Sequence, residues 1–143
     1  GGAISVDTLG AGRAAMRAQT GIDGATHLNV NPVYLIVPVA KETIADQYVT
    51  VITPQQGSNV NPFSGRLTVI AEPRLDDDSA TAWYLAASPM QIDIIVLGTL
   101  EGEGGPMVES RVGFDVDGLE IKVRHDVAAK VVDFRGLYKN PGA

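Results

Sequence analysis

The hydrophobic pattern of this chain changes its period near residue 65, and the change limits the folds that it can adopt. Before residue 65, the run at 33–37 is apolar on both faces, as expected of a central strand that is covered on both sides. Two stretches with a helical pattern, 5–20 and 39–49, flank this strand. After residue 65, β-rich runs separated by turn residues lie at 67–72, 82–87 and 92–97. The sequence therefore predicts an α+β fold with mostly antiparallel strands and two or three short helices.

The stretch 5–20 carries the start and stop signals of a helix. Ser5 or Asp7 can accept hydrogen bonds from the free amides of the first turn, and Gly21 is placed to end the helix. The same stretch contains GAGRAA at 10–15, which formally matches the dinucleotide-binding fingerprint. That fingerprint needs a strand that runs straight into the glycine turn. Only a few residues precede it here, so we reject a dinucleotide site.

The stretch 39–49 has the pattern of a second, shorter helix. Ala40, Ile44 and Tyr48 recur at helical spacing, while the charged side chains of the stretch point elsewhere. We therefore expect this amphipathic helix to pack on the central strand through these three residues.

Near the end of the chain, the sequence has the pattern of a β-hairpin. Asp117 and Gly118 form the strongest short signal for a two-residue turn, because both residue types tolerate the positive φ of a type I′ turn. In the following run, 119–124, Leu, Ile and Val alternate with Glu, Lys and Arg. We expect this run to be a half-buried strand.

Composition and charge exclude several classes of function. The 143 residues include no cysteine, so neither disulfides nor thiolate metal sites can form. The net charge is −6, and the eleven Lys and Arg residues are scattered rather than arranged in a stripe, which argues against direct, sequence-specific binding of nucleic acid. The longest apolar stretch is far too short to cross a membrane, so no membrane partner is expected.

The aspartate run Asp76, Asp77 and Asp78 is the densest group of possible metal ligands or acid/base groups in the sequence. A loop that binds a hard cation needs spaced carboxylates and carbonyls that converge, usually around a glycine. Three contiguous aspartates without a nearby glycine do not supply this arrangement. Aspartate and serine also favour turns for their own backbone hydrogen bonds. We therefore place the run in a turn between two strands and predict no metal site, no catalytic residue and no cofactor.

The two histidines do not form an obvious catalytic site. His27 precedes the first strand, and His125 follows a strand beside Asp126. Adjacent residues of a strand point to opposite faces, which disfavours a His125–Asp126 dyad and favours structural histidines. Two alternatives nevertheless stay open: a metal-dependent hydrolase that uses Asp76 to Asp78 with His125, and a small α+β binding module.

Several segments, in a fixed order, carry a resemblance to a known family. The segments are LNVNPVYLIVP at 28–38, NPFSGRL at 61–67, EPRLD at 72–76, AWYLAA at 82–87, ESRVGFDVDGLEIKVRHD at 109–126 and DFRGLYKNPG at 133–142. Together they resemble the major capsid (major head) protein of tailed phages and prophages, in the branch similar to the Mu-like head subunit. The resemblance runs from about residue 6 to the end of the chain.

The resemblance implies the Hong Kong 97-like capsid fold, which has an axial and a peripheral domain, and a structural rather than an enzymatic role. Residues 1–65 would be mostly axial-domain material, and 66–143 a β-rich part with strands that return to the peripheral domain, the whole being compact as one unit. The chain starts without methionine, and it looks like the carboxy-terminal portion of such a protein. Its expected location is the virion capsid, and the bacterial host cytoplasm before assembly or as a prophage product.

For such a subunit, the expected partner is a further copy of itself in a capsid homo-oligomer of pentamers and hexamers. This chain alone would be monomeric or weakly associating. Candidate contact elements are the polar loop 54–64, the aspartate turn at 76–81 and the glycine-rich turn at 102–106. The candidate contact residues are Pro54, Gln55, Asn59, Asn61, Asp76, Asp77, Asp78 and Gly104.

Overall fold

The structure is a computed structural model that describes residues 1–50, 60–102, 104–113 and 117–143. Its fold is α+β with mostly antiparallel strands and few short helices, which confirms the predicted class. The elements are α1 (Val6–Arg17), β1 (Pro32–Val37), a 3₁₀ turn (Val39–Lys41), α2 (Glu42–Val49), β2 (Thr68–Ala71), α3 (Arg74–Asp78), β3 (Trp83–Ala87), β4 (Ile95–Thr99), β5 (Met107–Val112), β6 (Leu119–Arg124), β7 (Val127–Val131) and β8 (Leu137–Asn140).

The chain divides into two compact units. Unit 1 comprises Gly1–Ile94 together with Asp133–Ala143, and unit 2 comprises Ile95–Val132. Unit 2 is thus inserted between two segments of unit 1. The division into an axial part and a peripheral part at residue 65 stays a prediction.

A four-stranded sheet forms the centre of unit 1, in the order β2-β1-β3-β8. β1 lies inside the sheet, as its apolar pattern predicted. The pairs β1–β3 and β3–β8 are antiparallel, but β2 runs parallel to β1, which differs from the antiparallel second half that the sequence suggested. The cause is the connection, because α2 lies between β1 and β2 and a helical crossover returns the chain in the same direction.

Helix α1 begins as predicted and ends earlier than predicted. The Ser5 side chain accepts a hydrogen bond from the Thr8 amide, and the Thr8 side chain accepts one from the Ser5 amide, which together form a capping box. The helix ends at Arg17 with Ala18 as its cap, so the prediction that Gly21 ends it is wrong. The glycine motif at 10–15 lies inside the helix, as expected once the dinucleotide site is rejected.

The core of unit 1 forms where α1 and α2 cover the sheet. Trp83 is fully buried at its centre, and its indole Nε1 donates to the backbone oxygen of Gly2 at 3.0 Å. The largest fully buried side chains are Trp83, Phe63, Leu9, Met16, Leu35, Leu85, Val30, Val37 and Pro38.

Helix α2 packs on the sheet as predicted, but only one of the three residues predicted to make the contact, Tyr48, does so. Ala45 is completely buried, and Tyr48 and Val49 pack against the core, whereas Ala40 and Ile44 are exposed. Ala40 lies in the 3₁₀ turn and the helix starts only at Glu42, so the spacing read from residue 40 does not describe one face of a single helix.

Unit 2 consists of two antiparallel ladders, one of β4 with β7 and one of β5 with β6. Every residue of these four strands is exposed. The predicted hairpin is confirmed, but β5 and β6 are connected by residues 113–118, not by a two-residue turn at Asp117 and Gly118. The expectation that 119–124 is half-buried is wrong, since neither face of this ladder is covered in the described part of unit 2.

Candidate interaction surfaces

The aspartate run lies in a helix rather than in a turn. Asp76, Asp77 and Asp78 form the end of α3, so the turn predicted for them is wrong. The five-residue stretch Arg74–Asp78 follows Pro73, whose fixed φ suits the start of a helix. Asp76 is half-buried, while Asp77 and Asp78 are exposed.

Asp76 caps the segment that leads into α2. Its Oδ2 accepts a hydrogen bond from the Val39 amide at 2.9 Å, and its Oδ1 accepts one from the Ala40 amide at 3.4 Å. These amides begin the 3₁₀ turn, whose own cap residue, Pro38, makes no side-chain hydrogen bond. A carboxylate at such a start satisfies free backbone donors and interacts favourably with the helix dipole. Asp76 therefore has a structural role within unit 1.

The described residues do not assemble a metal site around the run. Among residues 1–50, 60–102, 104–113 and 117–143, no group of three or more His, Asp or Glu side chains is placed to hold a metal ion. His27 belongs to unit 1 and His125 to unit 2, and both are exposed rather than structural core residues. The structure thus supplies no geometry in support of the hydrolase alternative.

The neighbouring residues Glu72 and Arg74 form a local ion pair at the start of α3. Arg74 Nε donates to Glu72 Oε1 at 2.6 Å, and the Arg74 amide donates to the same oxygen at 3.2 Å. These hydrogen bonds lower the pKa of Glu72 from 4.5 to about 2, the one from the Arg74 side chain having the larger effect and the one from the Arg74 amide the second largest. Both groups lie at the surface, so the pair fixes the entry into α3 more than it adds stability.

The other candidate contact residues lie apart from the aspartate run in the chain. Asn61 is half-buried and holds a local turn, since its Nδ2 donates to the Tyr48 oxygen at 2.6 Å and its Oδ1 accepts from the Phe63 amide at 3.0 Å. Gly104 is exposed and belongs to unit 2. Three candidates lie outside the described residues: Pro54, Gln55 and Asn59.

A surface that the sequence did not single out is the β5–β6 ladder, which we call the ribbon. Directly paired residues of an antiparallel ladder point to the same face. One face, the apolar ribbon face, consists of the pairs Val108–Val123, Ser110–Ile121 and Val112–Leu119. The opposite face, the charged ribbon face, consists of Met107–Arg124, Glu109–Lys122 and Arg111–Glu120. The alternation at 119–124 was visible in the sequence, but its pairing with β5 was not.

The charged ribbon face carries ion pairs between its strands. Lys122 Nζ lies 3.2 Å from Glu109 Oε2, and Arg111 Nε donates to Glu120. Opposite charges directly across a ladder are mildly stabilising, and all of these side chains remain in solvent. The charged ribbon face is therefore well solvated, whereas the apolar ribbon face exposes aliphatic side chains to solvent.

The described residues combine a packed α+β unit with an exposed β ribbon. No described helix is long and apolar enough to span a membrane. A family model described as phage capsid protein matches residues 1–140. The chain belongs to this family of phage capsid proteins, which indicates a structural role in the virion capsid. No curated protein and no solved structure matches the chain significantly.

Proposed function

We propose that the chain is the carboxy-terminal portion of a major head protein with the Hong Kong 97-like fold, in the Mu-like branch. Copies of the full polypeptide would assemble into the pentamers and hexamers of an icosahedral head that contains DNA. The observation that carries this proposal is the match of a phage capsid family model to residues 1–140, nearly the whole chain.

The physical features of the chain support a shell subunit over a small binding module. A shell is held by many modest contacts that symmetry repeats, so its subunits need extended complementary surfaces rather than one deep pocket. The exposed strands of unit 2 offer such a surface, and unit 1 has a core of its own. The net charge of −6 fits contacts with neighbouring subunits rather than with the phosphates of DNA.

Under this proposal, residues 1–65 are mostly axial and 66–143 include the strands of the peripheral domain. The protein acts without a cofactor and without enzymatic activity. It is made in the bacterial cytoplasm, in phage infection or from a prophage, and ends in the virion. Asp77, Asp78, Asn61 and Gly104 stay candidate contacts, with Pro54, Gln55 and Asn59 of the polar loop. Asp76 is the weakest of these candidates, because backbone amides already occupy its carboxylate.

Electron microscopy of the full polypeptide tests the proposal. We expect closed shells or ring-shaped capsomers, and a full-length protein that stays monomeric under assembly conditions would contradict the proposal. The 143-residue chain alone should elute from a sizing column as a monomer or a weak oligomer. Stable hexamers of this chain would contradict that second expectation and would locate the capsomer contacts within it.

A further inference from the structure

The ribbon has one charged and one apolar face, and both are exposed to solvent. On the apolar ribbon face, the exposed fractions are 63% for Val108, 79% for Val112, 63% for Leu119, 64% for Ile121 and 63% for Val123. The charged ribbon face pairs its acidic and basic side chains across the strands. One stripe of five aliphatic side chains is therefore left in water beside a face that is already well solvated.

A two-stranded ribbon gains stability from whatever covers its apolar face. A two-stranded hairpin is marginal in water, and it becomes stable when a further layer covers its apolar face. A fully exposed aliphatic side chain offers on the order of 100 Å² of apolar surface, so five side chains at about two-thirds exposure leave roughly 300 Å² uncovered. The largest contiguous apolar patch on a typical soluble monomer covers about 300–600 Å², and such a patch is often functional.

We propose that the apolar ribbon face packs against the same face of a second copy of this chain. The inference rests on the proposed function, because a capsid places many copies side by side. Its particular support is the distribution of side-chain sizes between the two strands. β5 contributes Val108, Ser110 and Val112 to the face, and β6 contributes the larger set Val123, Ile121 and Leu119.

A two-fold axis parallel to the strands makes these unequal strands complementary. Two ribbons stacked face to face about 10 Å apart would then place β5 of one copy over β6 of the other. Ser110 would lie opposite Ile121, and Val112 opposite Leu119, so the smaller side chain faces the larger one in each case. The Ile121 side chain of each copy fills the space above Ser110 of the other copy, so the two-fold axis generates two equivalent contacts.

The area predicts a weak contact. Roughly 300 Å² per copy is well below the ~800 Å² per partner of a standard stable interface. The ribbon pair should therefore form only at high protein concentration in isolation, and in a shell its strength would come from repetition. This agrees with the expectation that the chain alone associates weakly.

The test is sedimentation equilibrium of the 143-residue chain over a wide concentration range, with single and swapped variants. Ile121→Ser removes the projecting side chain, and Ser110→Ile fills the space that receives it. The double variant S110I/I121S exchanges the two and restores complementarity under the same two-fold axis. Ile22→Ser is the matched control, because Ile22 lies in unit 1 and is 96% exposed.

The proposal predicts a specific order of affinities. The parent chain and Ile22→Ser should dimerise equally, each single ribbon variant should weaken dimerisation at least tenfold, and the double variant should return to within about threefold of the parent. Ser110→Ile is the decisive variant, since it adds apolar surface yet should weaken the dimer. A non-specific hydrophobic contact would instead strengthen.

Three outcomes would overturn the inference: a chain that is monomeric at every concentration, a dimer that Ile121→Ser does not weaken, or a double variant that is no better than the single ones. The swap guards against a variant that merely unfolds the ribbon, because it keeps the composition of the face. Electron microscopy separates this inference from the proposed function. Shells of the full polypeptide that form equally well with Ser110→Ile refute only the ribbon contact. A full polypeptide that forms no shell or capsomer, while the parent 143-residue chain still pairs through its ribbon, refutes only the proposed function.

Discussion

Replacing Asp76 by alanine should destabilise unit 1, whereas the same change at its two acidic neighbours should not. The Asp76 carboxylate accepts from the Val39 and Ala40 amides, and Asp77 and Asp78 are exposed side chains of the same helix. Removing a capping carboxylate typically costs about 1 kcal/mol. Surface substitutions without such a role usually stay within about ±0.5 kcal/mol.

The effect can be measured by urea unfolding, followed through the fluorescence of Trp83 in the core of unit 1. A loss of about 1 kcal/mol lowers the urea midpoint by roughly 0.5 M at a slope of about 2 kcal/mol/M. For a chain of this size, it lowers the melting temperature by roughly 3–4 °C. Asp76→Asn should lose less than Asp76→Ala, because asparagine keeps an oxygen that accepts from the amides.

The matched controls are Asp77→Ala and Asp78→Ala, which remove the same charge from the same helix. If all three alanine variants unfold at the same urea concentration, the cap is not a source of stability and the reasoning fails. A loss confined to Asp77 or Asp78 would also refute it, and would direct attention to contacts of those side chains.

Three further outcomes are expected. Gly10→Ala should stabilise the chain by about 0.5–1 kcal/mol, because α1 has open space at this position. Gly12→Ala should be less stable than Gly10→Ala by about 1–3 kcal/mol, because its new methyl group would lie 2.8 Å from Leu85 Cδ1. Equal urea midpoints for the two variants would contradict this packing. The folded-state pKa of Glu72 is about 2, below its ordinary 4.5, so its contribution to stability is present above pH 4.5 and is lost as pH falls towards 2. Glu72→Gln should therefore flatten the dependence of the free energy of unfolding on pH in this range. An unchanged slope would argue against the Glu72–Arg74 pair. A chelator should leave the melting temperature unchanged, and a clear drop would revive the hydrolase alternative.

Local signals in the sequence predicted two features of unit 1, the interior strand and the start of the first helix. The doubly apolar run gave an interior strand, and Ser5 at the start of an alanine-rich stretch gave the beginning of α1. Such signals act between residues that are close in the chain. The Asp76 cap was not predictable in the same way, because its partners Val39 and Ala40 precede it by 37 and 36 positions and meet it only after β1, α2 and β2 have been arranged.

The ribbon shows a different limit of sequence reasoning. The alternation at 119–124 correctly predicted which side chains share a face. Alternation indicates that a face is suited to burial, and it contains no information about what buries it. The assumption that the cover comes from the same chain produced the wrong expectation of a half-buried strand. The direction of β2 was missed for a related reason, since it depends on the crossover through α2.

The insertion of unit 2 between two segments of unit 1 affects how such a chain can change in length during evolution. The ribbon can be lengthened or shortened without disturbing the core around Trp83, because the chain leaves unit 1 after Ile94 and rejoins it at Asp133. The side chains of a strand alternate with a period of two. Insertions of one residue in each strand would therefore exchange the apolar and charged faces beyond them, whereas insertions of two would preserve both. Natural variation in the length of this ribbon should follow even steps.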